Sequence, residues 1–463
     1  MTRVAVIGGG ASGMSASMTL LDAGVDVTLL EAEDHLGGHC FPVAVPDGQG
    51  SHFHVDGCVT DFNEESFSTV RGILHRLGLK WHPICQDAAV STSLGEPVWS
   101  SIAGHLHLIA HFDDPARFRE ELNRFARESA GVLSDTRFAR WTAGEWLLHH
   151  GYRREFIERA FVPRAGGAFP MPEESPLQNG IQNIVRFWKI HGIIGSISPR
   201  RMTLVGGMNA WPRAFGAWFR ERGGTLHLAT RVERIVRHAR GIHVHTVDVH
   251  GRAHKQHFDH IVLAVPPHLG MGMLDNPAPF EWLTIGAFHW QHAKVCVHSD
   301  PRLMGRDPEL WGAYNYTLPL SQSKTQWPTI TFWANRLSGL ANELPNAFIT
   351  VNPIRRPDPA LIHAEYTVVH PILKESDRDS RDRLHAIQGV NHTWFAGSWT
   401  RAPHVHESAV RSGIEAAEQL LSHLGYHVSK SEEGSEEFVP RLNWNADISQ
   451  RFDSPQYAFC PVE

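Results

Sequence analysis

The first forty residues constrain this chain more than any other part of it. Val4-Ala5-Val6-Ile7 is a short apolar run of strand type. Gly8-Gly9-Gly10-Ala11-Ser12-Gly13 follows, then a small-residue helical stretch from Met14 to Ala23. A second strand reads Asp26-Val27-Thr28-Leu29-Leu30-Glu31. This is G-x-G-x-x-G between a strand and a helix, with an acid 18 residues after Gly13. Gly8 permits the tight turn, Gly10 lets a pyrophosphate approach the backbone, and Gly13 lets helix and strand pack closely. The helix start, with Ala11 and Ser12, offers free N–H groups and a positive dipole end to phosphates. Glu31, followed by Ala32, is placed to accept hydrogen bonds from a ribose. The unit predicts dinucleotide binding, and on its own it leaves NAD and FAD both open.

Length and composition set the frame around that unit. At about 100–200 residues per domain, 463 residues are two to four domains' worth of chain. Lys+Arg 43 against Asp+Glu 49 gives a net charge of −6, which argues against nucleic acid as a partner. Cys40, Cys58, Cys85, Cys296 and Cys460 are widely spaced, without a CxxC pair, so a reducing, cytoplasmic compartment is the simplest expectation. No apolar run approaches the roughly 18–20 residues of a membrane-spanning helix, and with a strand expected from Arg3 onward no signal peptide is expected. The 32 histidines are the oddity. Protonating half of them near pH ~6.5 would carry the net charge from −6 to about +10, so solubility is expected to vary with mild acid.

Beyond the second strand, helical patterns are expected at 65–77, 115–130, 141–150, 154–161, 211–222 and 408–424. Residues 163–176 are rich in Pro and Gly and read as a loop. Strands are expected at 226–228, 232–236, 243–245, 258–265 and 394–397. Segments of nucleotide-binding type thus stand at both ends and in the middle, without an internal repeat. Two interleaved domains follow, rather than two consecutive ones.

After Glu31 the chain reads Ala32-Glu33-Asp34-His35-Leu36-Gly37-Gly38-His39. An acid, a Gly-Gly doublet and a basic residue in this order resemble the FAD-containing amine oxidase superfamily. The resemblance continues at intervals over about residues 1–425. Gly206-Gly207-Met208 resembles the turn before an FAD-domain helix, and Val232 stands where the adenine-side strand lies. Asp259 to Pro267 resembles the D-x-V-(hydrophobic)₂-A-x-P strand. Trp394-Phe395-Ala396-Gly397 with Ser408 to Ala417 resembles the closing element. Within the superfamily the chain is similar to a branch of NAD/FAD-binding amine oxidase-like proteins that often accompany cyclopropane-fatty-acid synthase-like methyltransferases. The pieces that carry this are Val55-Asp56 with Phe62-Asn63-Glu64, His191-Gly192, Trp394 to Gly397 and His406-Glu407.

The resemblance implies an α/β architecture. A Rossmann-type FAD-binding domain (1–80, 200–268 and 386–428) would interleave with a mixed sheet-plus-helices substrate domain (81–199 and 269–385), ahead of a tail at 429–463. This is the amine oxidase/glutathione reductase-like FAD fold. It implies FAD, held noncovalently, with Gly37, Gly38 and His39 along the flavin and pyrophosphate. His39 replaces the family's usual Arg, and His39 and Cys40 are the candidate anchors for a covalent flavin. Gly397 and Ser398 are further cofactor contacts, although the family usually has an acid after the glycine. A helix starting near Ser408 and Ala409 would turn its positive end toward the negative charge of reduced flavin. Ser412, Gly413, Ala416 and Ala417 give that helix a small face for close backbone approach.

Four residues are candidates for the chemistry. Lys294, in Ala293-Lys294-Val295-Cys296-Val297-His298, matches the lysine that holds a water at flavin N5 in many amine oxidases. It alternates with Ala293, Val295 and Val297, which face the other way. His191 lies in the aromatic segment Phe187-Trp188-Lys189-Ile190-His191-Gly192. His406, with His404 and Glu407, precedes the flavin-side helix as a candidate acid or base. Trp399 lies where the family often places aromatics beside the ring. The H-x-H pairs lack an HExxH motif or a Cys/His quartet, so no metal is expected. The leading expectation is an FAD-dependent oxidoreductase that accepts hydride from an organic substrate, an amine by the Lys294 position. The alternatives are an isomerase or desaturase of unsaturated fatty acyl chains, and a catalytically silent flavoprotein serving a methyltransferase-like partner.

Overall fold

The computed structural model describes residues 2–102, 105–168, 175–192, 200–319, 328–340, 344–371 and 376–426. The tail at 429–463 lies outside them. The fold is α/β. A five-stranded parallel sheet has the order Thr225–His227, Asp26–Leu30, Arg3–Ile7, His260–Leu263, Thr393–Phe395. Its central strands are buried apolar runs, as a parallel sheet covered on both faces requires. An eight-stranded mixed sheet runs Ile362–Pro371, Trp290–His298, Phe348–Val351, Thr329–Trp333, Tyr314–Leu318, Ala88–Thr92, Pro97–Ser100, His107–Leu108. Helices between residues 115 and 190 cover part of this second sheet with an aromatic core of Phe118, Phe125, Trp146, Phe156, Phe161 and Trp188.

Two helices fix the first sheet. Ala11–Asp22 follows the glycine turn, and His406–His423 follows the closing strand. They cross where a Cβ on Gly413 would collide with the Ser12 carbonyl oxygen and with Ser15 Oγ. At this approach Ser15 Oγ donates to the Val410 carbonyl at 2.9 Å. Ser412 Oγ accepts the Gly397 N–H at 2.8 Å, which ties the closing strand to the same helix. The small face expected at Ser412, Gly413, Ala416 and Ala417 is buried in this crossing.

The expected elements stand with adjusted ends, and three adjustments have clear causes. The helix expected at 65–77 is shorter, Ser68–Arg76. Its first N–H groups are capped by a distant carboxylate: Glu407 accepts from Thr69 at 3.0 Å and Val70 at 2.9 Å. The strand expected at 258–265 is two strands, Ala253–Phe258 and His260–Leu263, that part at Asp259. The loop expected at 163–176 begins as helix instead. Arg154–Phe156 runs through a π turn, Ile157–Phe161, into Val162–Ala168, while 169–174 lie outside the described residues. Pro163 has no N–H to return to the carbonyl four residues back. That carbonyl, on Arg159, accepts from Trp99 Nε1 at 2.7 Å instead. The wider π turn and the indole together let the helix continue through a proline.

Two histidines, His260 and His298, are buried in the core. His298 is fully buried, with Nε2 on Thr350 Oγ1 at 2.8 Å and Nδ1 accepting the Asp300 N–H at 3.1 Å. Burial holds it at about 4, and burial holds His260 at about 4 as well. Both stay neutral in the folded state where an unfolded chain would already bind protons, below about 6.5. Stability is therefore complete above pH ~6.5 and falls as pH drops toward 4, by about 1.4 kcal/mol per pH unit for each histidine. Urea unfolding between pH 7 and 5 should show this loss, and His298→Asn should reduce the slope of ΔG against pH in that window.

Candidate active site

A single cavity of about 1430 Å³ joins the two sheets. One end is the glycine turn. Gly8 has φ +102 and its Cβ position is filled by the Ala264 carbonyl at 2.6 Å, so only glycine fits there. A Cβ on Gly13 would overlap the Gly8 carbonyl oxygen, which makes it the packing glycine of the motif. Gly10 differs, with nothing within 4 Å of its Cβ position. Its open side is the cradle a pyrophosphate needs, and Gly38 (φ +56) closes over it, a Cβ there lying 3.3 Å from Gly10 Cα. Glu31 accepts the Gly9 N–H at 2.5 Å and the Glu33 N–H at 2.9 Å. A carboxylate has about four lone-pair sites, so acceptor capacity remains for a ribose.

The sequence-derived residues sort as follows. Gly8, Gly10, Ala11, Ser12, Glu31, Ala32, Gly37, Gly38, His39, Val232, Gly397, Ser398 and Ala409 line the cavity. Gly13 and Ser408 do not: Gly13 packs helix against strand, and Ser408 is buried one position away from Ala409. Of the candidates for the chemistry, His191, His406 and Trp399 line the cavity. Lys294 does not. It is exposed, on the face of Trp290–His298 opposite the cavity-lining Gln291 and Val295. Past Trp290, which lines the cavity at the strand's start, the residues that meet the cavity are the odd-numbered Gln291 and Val295.

Electrostatics divide the wall. Enclosure lowers His39, His191, His370, His404 and His406 from the ordinary imidazole range, His406 to about 4 and His370 to about 3. His39 and His370 face each other with ring centroids 5.3 Å apart. The position after the Gly-Gly doublet therefore carries a neutral imidazole at pH 7. Both ring nitrogens of His404 and of His406, and Trp399 Nε1, are buried without a hydrogen-bond partner among the described residues. His404 also holds a left-handed backbone, φ +64, unusual for a residue with a Cβ. Orphaned buried donors and acceptors around an open glycine cradle fit a polar heteroaromatic cofactor. Glu407 is engaged elsewhere, capping Ser68–Arg76 and pairing with Arg411 at 2.7 Å, so it is no acid or base here.

Sequence reading missed a buried network at the middle of the cavity. Arg201 forks onto Asp61 with contacts of 2.5–2.9 Å, Tyr314 OH donates to Asp61 at 2.6 Å, and Arg201 Nη1 meets His191 Nδ1 at 2.5 Å. His191 thus faces a cation, which with burial keeps it neutral. Asp61 and Arg201 stand 140 residues apart in sequence, and no local pattern links them. The pieces Val55-Asp56 and Phe62-Asn63-Glu64 flank Asp61 without including it and were the nearest signal.

Two glycine substitutions separate cradle from scaffold. Gly10→Ala should leave apoprotein stability within about 1 kcal/mol, yet weaken FAD binding about 10-fold or more. Gly413→Ala should cost about 2 kcal/mol or more through overpacking against backbone. Chemical denaturation of apoprotein and FAD titration check the pair.

The comparisons agree with this geometry. A family model described as flavin containing amine oxidoreductase matches residues 11–303. A search of curated proteins gives no match. Putrescine oxidase bound to putrescine is a similar solved structure, with TM-score 0.62 at 15% identity over 91% of this chain and 99% of that one. A fatty acid isomerase from P. acnes that produces CLA is similar at TM-score 0.64 and 17% identity, over 92% and 99%. Cyclohexylamine oxidase from Brevibacterium oxydans IH-35A is similar at 0.61 and 15%, over 92% and 100%. With the family model spanning well over half of its length, the chain belongs to the flavin-containing amine oxidoreductases, and it is an oxidoreductase whose cofactor is FAD.

Proposed function

We propose that this oxidoreductase oxidises an organic substrate held in the aromatic half of the cavity. The observation that carries this reading is the continuity of one cavity from the Gly8–Gly10 turn to the wall of Phe125, Phe156, Phe161 and Trp188. FAD, when bound, supplies a two-electron acceptor that takes hydride at N5. The chain's own residues do the rest. The glycine turn and Gly38 hold the phosphates, and Glu31 holds a ribose. The start of His406–His423 turns its positive dipole end to the cavity, where it favours negative charge on the cofactor. Trp399, wedged against Phe288 with ring centroids 4.9 Å apart, is a fixed aromatic wall that excludes water. Arg201, clamped by Asp61, positions His191 as a neutral hydrogen-bonding group beside the substrate.

The division of labour follows the two sheets. All five strands of the parallel sheet come from 1–80, 200–268 and 386–428, and all eight of the mixed sheet from 81–199 and 269–385. This supports assigning the first set to the cofactor and the second to the substrate. A second reading, an isomerase or desaturase of unsaturated fatty acyl chains, is favoured by the apolar wall and by the similarity to a fatty acid isomerase.

The absorbance spectrum of the purified protein tests the proposal. Flavin bands should appear, and acid precipitation should release the flavin to the supernatant. Anaerobic addition of an amine and fatty-acyl panel should bleach the bands with one class. Bands that never bleach would instead fit a redox-neutral isomerase or a silent partner of a methyltransferase-like enzyme. Lys294→Met should leave the bleaching rate within about 2-fold, because its side chain does not meet the cavity.

A further inference from the structure

The far end of the cavity contains a charge with nothing to balance it. Arg164 lines the cavity from the Val162–Ala168 helical segment. Its guanidinium lies over the Trp99 ring, 5.0 Å from the centroid. The other partly buried arginines of the wall are neutralised: Arg201 by Asp61, and Arg336 by Asp87, with Nε–Oδ1 3.0 Å. Arg164 has no hydrogen-bond or ion-pair partner among the described residues. Arg164 is half-buried, and an arginine keeps its proton at any physiological pH, so the partial loss of solvent around an unpaired charge is unfavourable. Stacking on an indole offsets only part of that.

A second donor stands beside it. Tyr316 lines the same cavity and is 7% exposed, and its hydroxyl has no partner among the described residues. Its ring packs on Gly167, where a Cβ would lie 2.5 Å from Cε1. Gly167 is three residues after Arg164, on the same side of the helical turn. Burial raises the Tyr316 phenol from its ordinary value, so it remains a donor. A cation and a hydroxyl donor, both unpartnered, stand in a wall of Phe125, Phe156, Phe161 and Ile330 whose other polar group is the Asn123 amide, with Oδ1 buried and without a partner among the described residues.

We infer that Arg164 and Tyr316 bind the carboxylate of a substrate whose remaining part is a long apolar chain. The length follows from placement. Trp99 and Tyr316 belong to the aromatic core of the mixed sheet, whereas Trp399 belongs to a core of the parallel sheet and the glycine cradle follows that sheet's strand Arg3–Ile7. An α-amino acid carries its carboxylate one bond from the carbon that loses hydride, so both would have to meet the cofactor together. A long-chain acid separates its carboxylate from the reacting carbons and can span the two halves. A protonated amine has no counter-charge at this end, since Asp61 and Asp87 are already paired.

This inference rests on the reading of the aromatic half as the substrate cavity. Its test is a binding measurement, independent of turnover. Calorimetric titration of the flavin-loaded protein compares dodecanoate, dodecan-1-ol, dodecylamine and phenylalanine, all below their aggregation thresholds. Dodecanoate should bind about 10–100-fold more tightly than the alcohol or the amine. Arg164→Met should abolish that preference, Arg164→Lys should restore part of it, and Tyr316→Phe should reduce it about 10-fold. FAD affinity should not change in these variants. Equal binding of the acid and the alcohol by the wild-type protein, which requires no variant, would overturn the inference. So would Arg164-dependent binding of phenylalanine in place of dodecanoate, or loss of FAD affinity in Arg164→Met. A preparation without flavin bands would count against the proposed function, and the acid-against-alcohol comparison could still be read in it.

Discussion

The contact between Gly413 and the backbone of Ser12 is the constraint on which the functional half of this fold depends. It brings Ala11–Asp22 and His406–His423 to a separation no side chain would allow. Two helix starts are thereby delivered to one cavity from opposite ends of the chain. Ser15 and Ser412 convert the approach into hydrogen bonds, one to Val410 and one from Gly397. The closing strand and Trp399 then take their positions from the same crossing. Glu407 extends the arrangement by capping Ser68–Arg76, so a third element is registered by that helix.

Charge is distributed in the cavity with equal care. Imidazoles are numerous there, yet enclosure keeps them neutral. Carboxylates are present, yet Asp61 and Asp87 are committed to arginines. The glycine end is open at Gly10, and the aromatic end carries Arg164, Tyr316 and Asn123 as its polar groups.

The cofactor half was legible because its signals are local. Strand, glycine turn, helix and acid occupy one stretch, and the steric reasons expected for Gly8 and Gly13 are present in the structure. The Ser412 to Ala417 face was readable for the same reason. Lys294 was misplaced because alternation gives two faces without saying which one meets a cavity. Asp61 and Arg201 were missed because their pairing is a tertiary event across 140 residues. Arg164 was hidden by Pro163 on one side and Gly166-Gly167 on the other, a composition that signals a loop. The Trp99 indole, which satisfies the carbonyl freed by that proline, lies 60 residues away.

The π turn at Ile157–Phe161 gives the chain leading to the anion-facing wall an unusual kind of adjustability. A π turn is one residue more than an α-helix needs, and each residue of an α-helix turns it by about 100°. The five residues of the wider turn carry the chain about as far round as four in an α-helix, so deleting one there would return the segment to regular helix and leave Arg164 over the Trp99 ring. Related chains could thus differ by one residue in length ahead of Arg164 without moving its charge.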